Sequence, residues 1–231
     1  MKKIGIICAG DSELEPFLKR LKQTAIMEKA MLSFHEGTID GLPVTVLYSG
    51  VCKVNAAAAA QLLIDAYVPD MVINAGTAGG IANQVRLFDT IVAEAAVYHD
   101  VADDILTEFH PWLKENRFLS DSRLLTAAKA YSRVSPHPLL FGDIATGEQF
   151  VAESERERIR RRLSPLAADM ETAAIAHVCY VNQIPFLSVR TITDTAAHDG
   201  IDSFEQNCAK ASEIAADVTM GILKQAVCCW K

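Results

Sequence analysis

The sequence predicts an α/β fold with a largely parallel sheet, and two observations support this prediction. Short apolar runs such as residues 4–9 and 71–74 have the length and composition of strands buried on both faces. Between them lie longer segments with apolar residues at helical spacing, and this alternation is typical of parallel sheets covered by helices. The chain of 231 residues contains no internal repeat or linker, so we expect one domain spanning residues 1–231.

The predicted strands follow from continuous apolar runs that turn residues interrupt. The first strand, residues 4–9, is closed by a Gly-Asp pair. Asp40 and Gly41 divide residues 34–49, and this dipeptide is typical of a tight hairpin turn between two strands. Further strands are expected at residues 71–74, 90–98, 139–144 and 185–192.

The predicted helices occupy the segments between the strands. The first helix runs from residue 12 or 13 to about residue 23 and has one apolar face. Residues 153–163 are so rich in charge that we expect an exposed helix there, and Ser203 with Gln206 fits a capping box at the start of the last helix. The remaining helices are expected at residues 54–67, 121–132, 172–180 and 203–225, whereas residues 101–120 are polar and irregular.

Composition and charge argue against several classes of partner. The formal net charge is −7 and basic residues cluster only at 156–162, so no nucleic-acid partner is expected. No apolar stretch is long enough to cross a membrane, and no membrane partner is expected. The six cysteines include no Cys-x-x-Cys pair, so a reduced, cytoplasmic protein is the simplest interpretation. The histidines lack metal-ligand spacing, and neither a Walker A motif nor G-x-G-x-x-G is present, so we expect no metal and no cofactor.

Four polar side chains lie at or just beyond the ends of predicted elements, namely Glu13, Thr77, Glu171 and Asp194. The carboxyl ends of parallel strands meet at one side of a sheet, where ligands commonly bind, so these side chains could converge. Each alone has an ordinary explanation, such as a first-turn acid, a turn residue or a helix cap. Their coincidence indicates a carboxylate-rich pocket.

The residues around Glu171 fit the floor of such a pocket. Met170 lies between Asp169 and Glu171, where a short segment turns into an alanine-rich helix. An apolar residue flanked by acids at such a junction resembles a pocket floor with a carboxylate beside it. The alternative is that the two acids stabilise the positive end of the helix dipole, and for Asp169 alone this alternative is preferred.

Arg190 is the second unusual residue, because it lies within an apolar strand. A buried charge is expensive without a partner. One interpretation is a structural ion pair with Asp169, Glu171 or another acid. The other is that Arg190 holds a catalytic carboxylate or an attacking water. The residues alone therefore indicate an α/β enzyme or binding protein and do not name its substrate.

The segment Ala-Asp-Met-Glu-Thr-Ala-Ala-Ile-Ala-His-Val-Cys at 168–179 resembles the signature of the purine nucleosidase and phosphorylase superfamily. The likeness is greatest to the family of 5′-methylthioadenosine/S-adenosylhomocysteine nucleosidases, and matching stretches follow in order along nearly the whole chain. The resemblance implies a nucleoside phosphorylase-like fold, a three-layer sandwich around a mixed, largely parallel sheet. It also implies hydrolysis of the N-glycosidic bond of 5′-modified adenosines (5′-methylthioadenosine, S-adenosylhomocysteine, 5′-deoxyadenosine) to adenine and the free ribose derivative.

The resemblance assigns catalytic roles to five residues. Asp194 would donate a proton to N7 of adenine, because adenine leaves poorly as an anion. This role requires a raised pKa at Asp194, which burial at the end of an apolar strand could supply. Glu13 would take a proton from the attacking water, which Arg190 and Thr77 would help to place. Glu171 would hydrogen-bond the ribose hydroxyls, and nearby carboxylates would stabilise an oxocarbenium-like sugar.

The same resemblance assigns the remaining contacts to the nucleoside. Met170 would pack on the sugar. Phe150 would stack on the base, and the backbone of Val151 would read the edge of the base. Val51 and Phe204 would line the 5′ side of the pocket.

Two positions favour hydrolysis over phosphorolysis. The related phosphorylases place an arginine for phosphate where Asn74 stands, and an arginine-containing phosphate loop where residues 10–13 stand. A neutral amide would not attract phosphate, and the carboxylate of Glu13 would repel it. We therefore expect turnover that does not depend on phosphate.

The sequence departs from the family pattern near the 5′ side of the pocket. Cys52 stands where the family usually has glycine, and residues 101–118 lack the expected Phe-Gly-Tyr and Gly-Gln-Pro elements. Asp103, Asp104 and Glu108 replace apolar or aromatic residues there, so the preferred 5′-substituent could be more polar than methylthio. A nucleosidase for a different 5′-substituted nucleoside and a nucleoside-binding protein without turnover are the alternatives.

A homodimer is expected from the same segment. Phe109, Trp112 and Phe118 lie in a polar, irregular stretch that a monomer would bury with difficulty, and the helix that follows is too polar to cover them. Apolar clusters of this kind often mark an interface, and two-fold dimers are the commonest oligomers. We expect residues 101–118 of one protomer to border the pocket of the other.

Overall fold

The computed structural model describes residues 2–196 and 201–229 and shows three layers, in which helices pack on both faces of a ten-stranded mixed sheet. The strands are β1 Ile4–Cys8, β2 Lys22–Lys29, β3 Leu32–Ile39, β4 Leu42–Tyr48, β5 Met71–Gly80, β6 Thr90–Tyr98, β7 Phe118–Leu119, β8 Leu139–Thr146, β9 Ala167–Asp169 and β10 Phe186–Asp194. The helices are α1 Asp11–Leu18, α2 Lys53–Tyr67, α3 Ile105–Glu108, α4 Ser122–Tyr131, α5 Glu153–Leu163, α6 Thr172–Val181 and α7 Ile201–Cys229. This architecture confirms the predicted α/β fold.

The strand order places one end of the sheet in a closed arrangement. The order is β10-β6-β8-β9-β5-β1-β4-β3-β2, with β7 beside β6. Because β10 also pairs with β5, the strands β5, β10, β6, β8 and β9 form a ring. β1 and β10 both run parallel to β5, so the carboxyl ends of these three strands lie at the same edge.

The side chains of β1 show why its apolar run is continuous. Ile4 and Ile6 belong to the core that α1, α4 and α7 cover, whereas Ile7 belongs to the core that α2 and α6 cover. Successive residues of a strand point to opposite faces, so a strand with helices on both sides needs apolar residues at every position.

The first helix is shorter than the sequence predicts. α1 ends at Leu18 rather than near residue 23, and Lys22–Lys29 forms β2. β2 lies at the edge of the sheet, pairs with β3 and is largely exposed. An exposed edge strand needs no apolar face, so its polar residues carried no strand signal.

Two other boundaries differ from the prediction. β5 continues through residues 76–80, which were expected to follow the strand, because β10 and β9 supply pairing partners there. α7 begins at Ile201, so Ser203 lies inside the helix. The Ser203 hydroxyl donates to the carbonyl of Thr193 at 3.2 Å, and the predicted capping box is therefore wrong.

The aromatic residues of 101–118 differ in their exposure to solvent. Phe118 is only 2 % exposed and packs against Tyr98 and His177, with ring centroids 6.0 and 4.8 Å away. The expectation that Phe118 needs a partner subunit to be buried is therefore wrong. Phe109 and Trp112 are 61 % and 65 % exposed, as expected. Across the described residues, no helix combines the length and hydropathy that crossing a membrane requires.

Candidate active site

A cavity of about 250 Å³ opens at the edge where β1, β5 and β10 end. All ten residues that the sequence analysis assigned to catalysis or binding line this cavity: Glu13, Val51, Thr77, Phe150, Val151, Met170, Glu171, Arg190, Asp194 and Phe204. They come from segments that are far apart in the chain, and the shared edge of the sheet brings them together.

Glu13 lies in the first turn of α1, directly after β1, and its carboxylate is buried. One carboxylate oxygen accepts the backbone N–H of Ala9 at 2.7 Å. The other accepts the backbone N–H and the hydroxyl of Thr77 at 2.7 and 2.8 Å. The α1 segment and β5 therefore fix this carboxylate at the cavity wall, and Thr77 acts on Glu13 from within the strand.

Arg190 lies on β10 and is fully buried. Its Nη2 atom lies 3.0 Å from Asp169 and 3.2 Å from Glu171, and its Nη1 atom lies 3.7 Å from Glu13. Burial lowers the pKa of the guanidinium, but these three carboxylates more than offset that effect and raise it. The structural ion pair with Asp169 and Glu171 is present, and the same guanidinium also faces the carboxylate of Glu13.

Asn74 and Asp169 contact Arg190 and also make hydrogen bonds to the backbone. Asn74 Oδ1 accepts a hydrogen bond from Arg190 Nη2 at 2.8 Å, and Asn74 Nδ2 donates to the carbonyl of Ile7 at 3.0 Å. Asp169 accepts the backbone N–H of Thr172 at 3.2 Å, at the start of α6. Asp169 therefore lies at the start of α6, where the sequence analysis expected an acid that stabilises the helix terminus.

Glu171 lies between Arg190 and the start of α2. Its Oε1 atom accepts the backbone N–H of Cys52 at 2.9 Å, and the positive φ of Cys52 (80°) gives the backbone there a conformation that favours glycine. The pKa of Glu171 is raised to about 7: burial is the largest cause, Asp169 and Glu13 also raise it, and Arg190 and the Cys52 N–H act in the opposite direction. This carboxyl group can thus change its charge near neutral pH.

Asp194 ends β10, is buried and lines the cavity. The hydroxyl of Thr193 donates to its Oδ1 atom at 3.0 Å, and Nη2 of Arg156 lies 3.3 Å from its Oδ2 atom. Sequence reasoning missed Arg156, because α5 was expected to be exposed. Arg156 is only 4 % exposed, so that expectation is wrong for this face of the helix. The sequence did contain one signal: Arg156 precedes Ile159 by three residues, so the two lie on the same face of the helix, and Ile159 is buried.

The other five of the ten predicted residues are apolar. Met170 lies beside Glu171, Val51 and Phe204 approach from other segments, and Phe150 and Val51 are partly exposed at the mouth. Carboxylates next to apolar lining residues suit a ligand with a flat base and a polar sugar, because one part needs apolar contact and the other needs hydrogen-bond acceptors.

Comparison with known proteins agrees with this geometry. The model of the phosphorylase superfamily matches residues 3–224. The 5′-methylthioadenosine/S-adenosylhomocysteine nucleosidase of Shewanella loihica is 33 % identical over 230 residues, covering 96 % of this chain and 99 % of the relative. The chain belongs to this nucleosidase family of the phosphorylase superfamily.

Solved structures of the family show the same fold. The nucleosidase of Colwellia psychrerythraea, solved in complex with adenine, has a TM-score of 0.88 and 30 % identity and covers 97 % of this chain and 96 % of its own. The futalosine hydrolase of Helicobacter pylori also has a TM-score of 0.88, with 26 % identity and coverage of 97 % and 98 %. The expected nucleoside phosphorylase-like fold is confirmed.

Proposed function

We propose that this protein hydrolyses the N-glycosidic bond of 5′-modified adenosines, releasing adenine and the free ribose derivative. 5′-Methylthioadenosine, S-adenosylhomocysteine and 5′-deoxyadenosine are the expected substrates. The observation that carries the proposal is the pair of buried carboxylates, Glu13 and Asp194, that line one cavity with Arg190 and Glu171. The nucleosidases among its relatives support the substrate class.

The chemistry requires an acid for the base and a base for the water. Asp194 donates a proton to N7 of adenine while the C1′–N9 bond breaks and its electron pair stays with the base. The sugar becomes oxocarbenium-like, and the oxygen of water bonds to C1′ as Glu13 takes a proton from that water. Arg190 and Thr77 hold Glu13 and the water, and Glu171 accepts the ribose hydroxyls.

The remaining side chains position the nucleoside. Phe150 stacks on the base, the backbone of Val151 reads its edge, and Met170 packs on the sugar. Val51 and Phe204 border the 5′-substituent. All of these residues line the cavity.

Hydrolysis is favoured over phosphorolysis by the surroundings of the nucleophile. Glu13 presents a carboxylate to the cavity, and Asn74 is occupied by Arg190 and by the carbonyl of Ile7. A phosphate dianion would meet the negative charge of Glu13 there. Water is uncharged and can be deprotonated by the same group.

The test is adenine release from a nucleoside panel, measured with and without phosphate. Wild-type protein should release adenine and free sugar at the same rate in both conditions. Asp194→Asn and Glu13→Gln keep side-chain size but remove proton transfer, and each should lower kcat by about 10²-fold or more. Binding without turnover would support a nucleoside-binding protein instead, and strict phosphate dependence with a sugar 1-phosphate product would refute hydrolysis.

The second candidate function is hydrolysis of a nucleoside with a different 5′-substituent, and the composition of residues 101–118 favours it. Asp103, Asp104 and Glu108 are exposed in this segment, and Asp103 pairs with Arg162. A preference for a polar 5′ group across the panel would support this candidate. A strong preference for 5′-methylthioadenosine would show that these acids do not reach the substrate.

We also propose that the protein is a cytoplasmic homodimer. Phe109 and Trp112 are exposed and are available for an interface. In the proposed dimer, residues 101–118 of one protomer border the pocket of the other. Of the six cysteines, Cys8, Cys52, Cys179 and Cys208 are free thiols, which suits a reducing compartment.

A further inference from the structure

Arg156 differs from the other arginines of its helix. Arg158 and Arg161 have side chains that are 52 % and 78 % exposed and pair with Glu155 and Glu157 on the same helix. Arg156 instead points inward, and Nη2 lies 3.3 Å from Oδ2 of Asp194. Its Nη1 atom donates a short hydrogen bond to the carbonyl of Gly80. The guanidinium therefore bridges the last residue of β5 and the last residue of β10.

This bridge restricts how the Asp194 carboxyl group can turn. Thr193 holds Oδ1 and Arg156 holds Oδ2, while Gly80 keeps the guanidinium at the end of β5. Gly79 leaves the carboxylate room beside the strand, since a Cβ at that position would lie 2.9 Å from Oδ2 of Asp194. A buried cation is costly without partners, and both Arg156 and its partner Asp194 line the cavity.

We propose that Arg156 is a positioning residue for proton transfer to the base: it orients the Asp194 carboxyl group and stabilises the negative charge that this group acquires when its proton leaves. The inference rests on the proposed nucleosidase function, with Asp194 as the acid. In that step the proton moves from Asp194 to N7 of the purine, the C1′–N9 electron pair moves to the base, and the new carboxylate remains beside the guanidinium.

Other ionisable groups line the same cavity. α1 contributes Glu13, β9 contributes Asp169, and Glu171 lies directly before α6. β10 contributes Arg190, and α7 contributes the thiol of Cys208. A cation beside a carboxyl group favours its ionised form, and Nη2 of Arg156 lies 3.3 Å from Oδ2 of Asp194. Removing Arg156 should therefore let Asp194 keep its proton to higher pH but release it to the base less readily.

The experiment compares pH profiles of kcat and kcat/KM for adenine release by wild type, Arg156→Gln and Arg156→Lys. In Arg156→Gln the plateau of kcat should fall about tenfold or more, while the midpoint of the alkaline limb moves up by about one pH unit. Arg156→Lys keeps the charge and should hold the midpoint within about 0.3 unit of wild type. Arg161→Gln, on the exposed face of the same helix, is the matched control and should leave both quantities unchanged.

A double-mutant cycle separates positioning from general support of the fold. If Arg156 acts through Asp194, Arg156→Gln should change the rate of the Asp194→Asn protein less than twofold. An equal loss in both backgrounds, or an unshifted alkaline limb in Arg156→Gln, would overturn the inference. If Arg156→Gln does not fold, a shifted midpoint in folded Arg156→Lys would overturn it as well. Failure of the proposed function looks different, because wild type itself would then release no adenine.

Discussion

At the scale of single residues, a glycine in β5 decides whether the Glu13 carboxylate fits. A Cβ atom at Gly76 would lie 2.5 Å from Oε1 of Glu13, which is closer than any side chain can tolerate. Glycine in a strand often marks such a close approach. The glycine-rich residues 76–80, which were expected to follow the strand, are therefore part of β5 and leave room for a carboxylate.

Gly76→Ala should displace the Glu13 carboxylate and lower kcat by about 10²-fold, the cost expected for a misplaced catalytic group. The measurement is kcat for adenine release together with the midpoint of thermal unfolding. Gly142→Ala is the matched control, because its Cβ would meet Leu166 at 2.8 Å and neither residue lines the cavity. The control should lower stability and leave kcat nearly intact. Near-normal turnover by folded Gly76→Ala would contradict the role assigned to this glycine.

The raised pKa of Glu171 predicts that the stability of the protein depends on pH. Burial raises its pKa to about 7 from an ordinary value of 4.5. Between these two values the folded protein binds more protons than the unfolded chain, so the free energy of unfolding should fall as pH rises through this window.

Urea unfolding of wild type and Glu171→Gln from pH 4.5 to 7.5 tests this dependence. Wild type should lose stability relative to the variant as pH rises, since glutamine does not titrate. Parallel stability curves for the two proteins would show that Glu171 does not titrate in this range. The KM for the nucleoside should fall over the same range in wild type, because the ionised carboxylate accepts hydrogen bonds more strongly.

At the scale of elements, one ion-pair network joins three segments next to the cavity-lining residues Val51 and Gln149. Lys53, at the start of α2, lies 2.9 Å from Asp100, which follows β6. The backbone N–H of Glu148, after β8, donates to Asp100 at 3.0 Å. The network fixes the start of α2 next to Cys52, whose N–H holds Glu171.

Asp100→Asn should raise KM several-fold with a smaller change in kcat, because it loosens binding elements rather than the proposed acid or base. The loss of stability should be about 1 kcal/mol or less, as is usual for a partly exposed pair. Asp70→Asn is the control: Asp70 pairs with Lys2 at 3.0 Å and accepts the backbone N–H of Lys3, outside the cavity lining. An unchanged KM in Asp100→Asn, or an equal rise in the control, would exclude this positioning role.

At the scale of the whole molecule, the exposed aromatic residues of 101–118 bear on assembly. Phe109 and Trp112 are exposed, whereas Phe118 is buried within its own subunit. The proposed interface therefore depends on fewer aromatic side chains than the sequence suggested.

Trp112→Asp should weaken the homodimer and raise KM, because an exposed apolar surface is replaced by a charge at the proposed interface. Sedimentation velocity over a concentration series, with nucleoside kinetics at the same concentrations, measures both effects. Val134→Asp is the control, since Val134 is 70 % exposed and lies outside 101–118. A wild-type monomer at working concentration would refute the shared-pocket proposal.

The sequence alone determined those parts of the molecule that local pattern specifies. Residues 90–98 and 153–163 match β6 and α5 at both ends, because apolar runs and helix-forming composition are local signals. The carboxyl-end rule for parallel strands, together with family resemblance, selected ten residues that line one cavity.

Tertiary structure decided what depends on distant partners. Lys22–Lys29 is a strand because β3 pairs with it, and Arg156 is buried because β5 and β10 end beneath its helix. Phe118 is covered by Tyr98 and His177 rather than by the following helix. Pairing at a sheet edge and the rotation of a helix on the sheet depend on contacts between residues far apart in sequence. A local sequence pattern cannot predict such contacts.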